Sequence, residues 1–476
     1  MKQKLLRYLP FVIIFLFFAS YATLSVIKHL HFLSGYDLSI LDQVTWKYSN
    51  FKAGITTTHA YALTNTLTDH VELIWIFLSP LYWIFNSALT LLIAQTAAIT
   101  LSGIPVFLLM KRKKINNILC ISLLISYLMF FGIQFAIWSD VHSLVFAASF
   151  LAWFLYFLDV GDNKKAAIFF ILAITCKEDI GLFTFCISFL YVVFQKRKAA
   201  LVFMVLSALY LLALFVVYYP IFTTDGYRYQ NPHGLLSNIN LVEMVSTSEK
   251  RDILLYAFGW FGGISLLAPA YILTAFADLA HYFILGSQHT SGQGIFGHYR
   301  STLALFLIWP VIIAISRYRL LNNKYVAVYI LIFAFLLQYH LHLPLSYLTK
   351  KWFWTEARGV KNIEQMLKFL PTDASVVSQV NITPHITHRE EVFTLWPQQK
   401  AFGKNSPCGE SSCHWLGWVG NPTYMLVDLS PEWDIRHLLA TNEDFKKSVA
   451  NLEKAGIIKK KKGISSTILY QIIKHP

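Results

Sequence analysis

The stretch FVIIFLFFASYATLSVI, residues 11 to 27, carries no charged side chain and follows the basic start MKQKLLRYLP. A helix needs roughly 17 to 25 apolar residues to cross about 30 Å of hydrocarbon, and this run meets the requirement. The basic start resembles a signal peptide, but the apolar part is too long and lacks a small-residue cleavage site, so we read a retained first helix. Comparable runs recur to about residue 343, after which the composition becomes ordinary. The whole chain of 476 residues is 56% hydrophobic, 16% aromatic and only 14% charged. Those proportions exclude an ordinary soluble enzyme and define an integral membrane protein.

The formal net charge of +14 does not call for a nucleic-acid partner, because Lys and Arg fall in short loops between the apolar runs, as the positive-inside rule demands. Lys2, Lys4 and Arg7 place the N-terminus in the cytoplasm, and KRKK at 111–114, DNKK at 162–165, QKRK at 195–198 and RYRLLNNK at 317–324 mark further cytoplasmic turns. Between them we expect about eleven transmembrane helices, near 9–28, 88–110, 117–137, 143–160, 166–177, 180–195, 199–220, 253–268, 270–286, 301–316 and 325–343. The odd number puts the C-terminus outside. The segment 71–87, aromatic and with an internal Pro, suits an interfacial helix.

From about residue 350, β-like runs (ASVVSQV, TYMLVDL, STILYQII) alternate with helix-like ones (TEARGVKNIEQMLKFL, NEDFKKSVANLEKAG). The expected fold is therefore a polytopic α-helical membrane domain, 1–349, with a small extracytoplasmic α/β domain, 350–476. Cys120, Cys176 and Cys186 lie in or beside apolar runs and read as small core residues, whereas Cys408 and Cys413 in CGESSC are spaced to form a disulfide in an oxidising compartment.

Ionisable residues gather near the outer ends of the helices: Asp37, Asp42, Asp69, His70, Glu72, Asp140, His142, Lys177, Glu178, Asp179, Arg228, His298, Tyr299 and Arg300. Charge at membrane depth is costly and normally faces a cavity or a partner. The clearest instance is CKEDIGL, 176–182, which interrupts an apolar stretch whose two arms are each too short for a full crossing. Asp42 alone reads as a solvated or capping residue. TDH at 68–70 and SDVH at 139–142 pair Asp with His and suit a divalent cation, an oriented imidazole or a helix N-cap. GSQHTSGQGIFGHYR, 286–300, combines four glycines with His289, His298, Tyr299 and Arg300 and reads as an anion-wrapping loop or a flexible one. No P-loop, Rossmann fingerprint or HExxH is present, which disfavours an ATP-driven pump or a zincin. HITH at 385–388 is too weak for a metal site, and KKKK at 459–462 reads as a solvated patch.

In chain order, YDLSILDQ, TDHVELIWIFLSPLY, SDVHSL, CKEDIGL, GHY and ITPHITHREEVFTLWP resemble the prokaryotic membrane proteins grouped as domain-of-unknown-function 2079, over about residues 30 to 400. That family looks related to the GT-C glycosyltransferases, which take sugar from a polyprenyl-phosphate carrier on the outer face. The resemblance implies a lipid-linked sugar donor, membrane lipids, an acceptor and residence in the bacterial inner membrane. It makes the first acidic residue of the first outer loop, Asp37, the catalytic base; Asp69 and His70, read from TDH, are further catalytic candidates. Lys177, Arg228, His298 and Arg300 are the cations that would meet the leaving phosphate. Asp42, Asp140, His142, Glu178, Asp179 and Tyr299 complete the substrate-binding candidates. The paired acidic signature of several GT-C branches is absent. A transporter or lipid flippase, and a non-catalytic membrane scaffold, remain the alternatives.

Overall fold

A computed structural model describes residues 2–59, 64–223, 227, 248–284, 294, 297–397, 416–435, 438 and 441–474. The chain divides into two compact units that interleave in sequence. The first is Met1–Val26, Leu67–Ile74 and Leu92–Lys350; the second is Ile27–Thr66, Trp75–Leu91 and Lys351–Pro476.

Helices dominate the first unit. Among the described residues, Tyr8–Leu30, Leu89–Arg112, Asn117–Trp138, Ser143–Val160, Ala199–Phe222 and His298–Arg317 are long and apolar enough to cross a membrane, and Ile180–Gln195, Pro269–Ala280 and Lys324–His340 are shorter apolar helices. Their ends are written in the sequence. The Asn116 side chain accepts from Ile118 N–H at 2.9 Å, Asn323 accepts from Tyr325 and Val326 N–H, and Gly161 takes φ 89° after Val160, a left-handed conformation that glycine adopts without a Cβ penalty. One expected helix is cut short: the run at 253–268 stays helical only to Gly259. Gly262 and Gly263 follow with φ 63° and 74°, which no α-helix continues through, and 3₁₀ turns Ile264–Leu267 and Pro269–Ile272 lead into Leu273–Ile284. The Ala199–Phe222 helix leaves Val202, Leu209, Leu212 and Val216 exposed, the surface expected of a helix meeting lipid.

The hairpin that carries CKEDIGL is built from Asn163–Ile174, 12 residues, and Ile180–Gln195, 16 residues. At about 1.5 Å per residue neither arm reaches the roughly 30 Å of a hydrocarbon core. Thr184 and Ser207 hydroxyls, 2.8 Å apart, tie the second arm to its neighbour, and Tyr191 stacks on Trp309 at 5.6 Å.

The second unit holds a five-stranded mixed sheet in the order Val392–Thr394, Val376–Ser378, Tyr424–Asp428, Thr467–Ile472, Ile458–Ile464. The first three strands are parallel, and the last two add antiparallel pairings. Helices Arg358–Leu367 and Asn442–Lys454 bury Val360, Ile363 and Met366, and Phe445, Val449 and Leu452, in its core, the three- and four-residue spacing of an amphipathic helix face. Lys459, Lys460, Lys461 and Lys462 are exposed on the edge strand, where charge discourages pairing with another chain.

Segments from the front half of the chain complete this unit. The buried Gln43 amide donates to Thr57 Oγ1 at 2.9 Å and accepts from Thr57 N–H at 2.9 Å. Thr57 Oγ1 in turn donates to Val392 O at 2.7 Å, and Thr394 Oγ1 to Thr58 O at 2.9 Å. The stretch expected as one interfacial helix, 71–87, is a short helix Ile74–Leu78 followed by a 3₁₀ turn Ser79–Trp83, with Pro80 near the start of the tighter turn. Cys120, Cys176 and Cys186 are buried free thiols; Cys408 and Cys413 lie outside the described residues.

Candidate active site around Lys177 and Glu178

The turn between the two short arms buries what a surface turn would expose. Glu178 is 0% exposed. Its Oε1 lies 2.7 Å from His70 Nδ1 and accepts from the Tyr227 hydroxyl at 2.9 Å, while Oε2 accepts from Val71 N–H at 3.3 Å. The returning segment is pinned by its backbone, Ile74 N–H donating to Thr175 O at 2.9 Å. Burial lowers the proton affinity of His70 and Lys177 adds to that, but Glu178 and Glu72 outweigh both, so its pKa stands above the ordinary 6.5. Burial pushes Glu178 up, yet His70 and Lys177 hold it below its ordinary 4.5. Each group of the pair favours the charged form of the other.

Lys177 is 8% exposed. Among the described residues its ammonium has no hydrogen bond and no ion pair within 4 Å. Burial disfavours its charge, but Asp179, Glu178, Glu72 and Tyr299 more than restore it, and its pKa is raised. A buried ammonium with no hydrogen bond or ion pair among the described residues has donors to offer an anion. Glu72 accepts from Ser143 Oγ at 2.6 Å, at the head of the Ser143–Val160 helix.

The SDVH segment is held by Gln95, which accepts from His142 N–H at 2.6 Å and donates to Asp140 O at 2.7 Å. Asp140 takes φ 80°, a left-handed conformation for which Asp is enriched among non-glycine residues. His142 Nε2 lies 2.7 Å from Ser139 O, and its ring stacks on His298 at 3.4 Å between centroids; His298 in turn meets Tyr299 at 3.9 Å. Arg300, 3% exposed, is anchored by Nη1 to Asp278 Oδ1 at 2.9 Å and to Asp278 O at 3.1 Å, while Thr302 donates to the other carboxylate oxygen. A Cβ on Gly132 would sit 2.0 Å from Arg300 O, so only glycine lets the Phe131–Trp138 helix back onto this turn.

Of the candidates read from sequence, His70, Glu72, Asp140, His142, Lys177, Glu178, Asp179, His298, Tyr299 and Arg300 belong to the first unit, with half-buried Asp69 closing the turn Thr66–Asp69. Asp37 and Asp42 belong to the second. Asp37 lies in the first turn of the helix Tyr36–Ser49. Asp42 is neither solvated nor a cap: it is 0% exposed, accepts from the Tyr82 and Thr387 hydroxyls, and lies 3.1 Å from His388 Nε2. The HITH histidines are likewise occupied, His385 being stacked between His29 at 4.2 Å and Phe32 at 3.7 Å. Arg228 and His289 lie outside the described residues. Sequence reading missed Gln95, Ser143, Tyr227 and Asp278. Gln95 and Asp278 were visible as lone polar residues within apolar helices; nothing marked Tyr227 or Ser143.

The His70–Glu178 pair dictates a pH response. A histidine whose pKa is raised on folding contributes stability fully below its unfolded value, near 6.5, and loses it as pH rises through the raised value. Melting of the purified protein, followed by tryptophan fluorescence, should therefore fall as pH rises above about 6.5, and His70→Gln should flatten that limb. An unchanged slope in the variant would remove the ion pair from this account.

The family model described as "Predicted membrane protein (DUF2079)" matches residues 27–406. The chain belongs to that family. No curated protein matches it. Among solved structures, the DUF2079 chain is similar to ArnT from Cupriavidus metallidurans, crystallised bound to undecaprenyl phosphate, with a TM-score of 0.55 and 10% sequence identity over 96% of this chain and 97% of that one. At such low identity the likeness speaks for the fold: a GT-C-like polytopic helical membrane protein with a small C-terminal sheet domain.

Proposed function

We propose that the protein is a membrane glycosyltransferase that moves a sugar from a polyprenyl-phosphate carrier to an acceptor on the outer face of the inner membrane. The observation that carries the reading is Lys177: a buried ammonium whose charge Asp179, Glu178 and Glu72 favour and which makes no hydrogen bond or ion pair among the described residues, within a fold shared with a protein crystallised with undecaprenyl phosphate. The basic turns support the orientation, with Lys-rich loops inside and the Lys177 turn and C-terminal domain outside.

In this reading Asp37 accepts the proton of the acceptor hydroxyl. The hydroxyl oxygen bonds to the anomeric carbon as the bond from that carbon to the phosphate oxygen breaks, with inversion, and the phosphate leaves on its lipid. Lys177 meets the charge that gathers on that phosphate. Glu178, paired with His70, sets the position of the turn, and Arg300, bound to Asp278, fixes the His298–Tyr299 segment.

Lys177→Ala should weaken binding of a radiolabelled polyprenyl-phosphate sugar to the detergent-purified protein by about 10- to 100-fold, the worth of a lost charge-assisted hydrogen bond. Lys177→Arg should keep most of the affinity. Unchanged binding in the alanine variant removes Lys177 from the phosphate, and no binding by the unaltered protein ends the reading.

A further inference from the structure

We propose that a second anion site, at the far end of the helix hairpin from Lys177, holds the headgroup of an acidic glycerophospholipid. The Ser143–Val160 helix ends, and the Ile180–Gln195 helix returns, at a cavity of about 560 Å³ lined by Arg112, Lys113, Asp159, Gln195, Lys196 and Arg197. That volume falls in the roughly 300–1,000 Å³ range of small-molecule sites. Four cations thus surround one carboxylate.

The carboxylate is already saturated. Asp159, 5% exposed, takes Arg112 Nε at 2.7 Å on Oδ2 and Lys113 Nζ at 2.5 Å on Oδ1, and the Tyr191 hydroxyl reaches Oδ1 at 3.4 Å. Its backbone carbonyl accepts from Arg112 Nη2 at 3.2 Å and from Arg197 Nη2 at 2.8 Å. Arg197 is therefore aimed into the cavity by a carbonyl, which fixes the guanidinium without neutralising it. Lys196, in the left-handed conformation with φ 56°, has no hydrogen bond or ion pair among the described residues. The cluster is built as a structure and left electrically open, with room for an anion.

The neighbours choose the source of that anion. Val160, next to Asp159, and Val193 and Phe194, next to Gln195, are exposed apolar side chains. A headgroup in the cavity would lay its acyl chains along them, whereas a soluble phosphate would leave them without a role. Basic pockets between membrane helices take acidic headgroups by this combination, each nearby Lys or Arg contributing about 1 kcal/mol.

The test is native mass spectrometry of the full-length protein released from micelles containing equal phosphatidylglycerol and phosphatidylcholine. The unaltered protein should retain phosphatidylglycerol preferentially. Lys196→Asn, which suits a left-handed position, should cut that preference about fivefold, as a loss of about 1 kcal/mol implies, and Lys164→Gln, a nearby charge that does not line the cavity, should leave it intact. Inorganic phosphate should neither displace the lipid nor raise the melting temperature as phosphatidylglycerol does. Equal retention of the two lipids, an equal fall in Lys164→Gln, or full replacement of the lipid effect by inorganic phosphate would each overturn the proposal. Sugar transfer does not enter any of these readings, so the site stands or falls apart from the catalytic one.

Discussion

Asp37→Asn should lower sugar transfer by about 10²–10⁴-fold, the usual contribution of a general base, while the protein folds and binds donor as before. The substitution keeps the shape of the side chain and removes only its proton acceptor. Asp37 sits half-buried in the first turn of the Tyr36–Ser49 helix. The measurement is single-turnover transfer of a labelled sugar at saturating donor, with melting as the control for folding. Transfer that survives the substitution would strike Asp37 from the mechanism, and normal donor binding beside lost transfer would separate its role from that of Lys177.

A change five residues along the same helix should act on stability instead. Asp42 is the shared acceptor of Tyr82 and Thr387 and lies beside His388. Burial raises its pKa, but His388 and then the two hydroxyls outweigh this and keep the carboxyl below its usual range. Asp42→Ala leaves buried donors without an acceptor and should cost about 3–5 kcal/mol, lowering the melting temperature of the second unit by roughly 10 °C. Asp42→Asn, which keeps one acceptor oxygen, should fall between the two. Alanine melting within about 2 °C of the unaltered protein would show that the hydroxyls find other partners.

These two aspartates show where the sequence was legible and where it was not. The helices were written in run length, hydropathy and loop charge, which are local properties, and most expected runs land on observed helices; Gly262 and Gly263 turn the chain in one, 71–87 is a short helix and a 3₁₀ turn, and 117–137 breaks between Asn117–Leu128 and Phe131–Trp138. CKEDIGL stood out because charge inside an apolar run is expensive and local. The difference between Asp37 and Asp42 was not readable, because it depends on Thr387 and His388, more than three hundred residues away in sequence. The same holds for Glu178, whose partners His70 and Tyr227 come from distant segments. The contribution of Ile27–Thr66 and Trp75–Leu91 to the second unit rests on hydroxyl, amide and ring contacts that leave no periodic trace.

That interleaving has an outcome in time. The ribosome makes the first pieces of the second unit early and the last, Lys351–Pro476, only after Leu92–Lys350 has been threaded into the membrane. At about 5–20 residues per second the interval is tens of seconds, during which Gln43 and Thr57 wait for Val392 and Asp42 waits for Thr387. Throughout that interval Thr57 and Asp42 lack the partners they hold in the finished fold, so the second unit closes only after the last strands emerge.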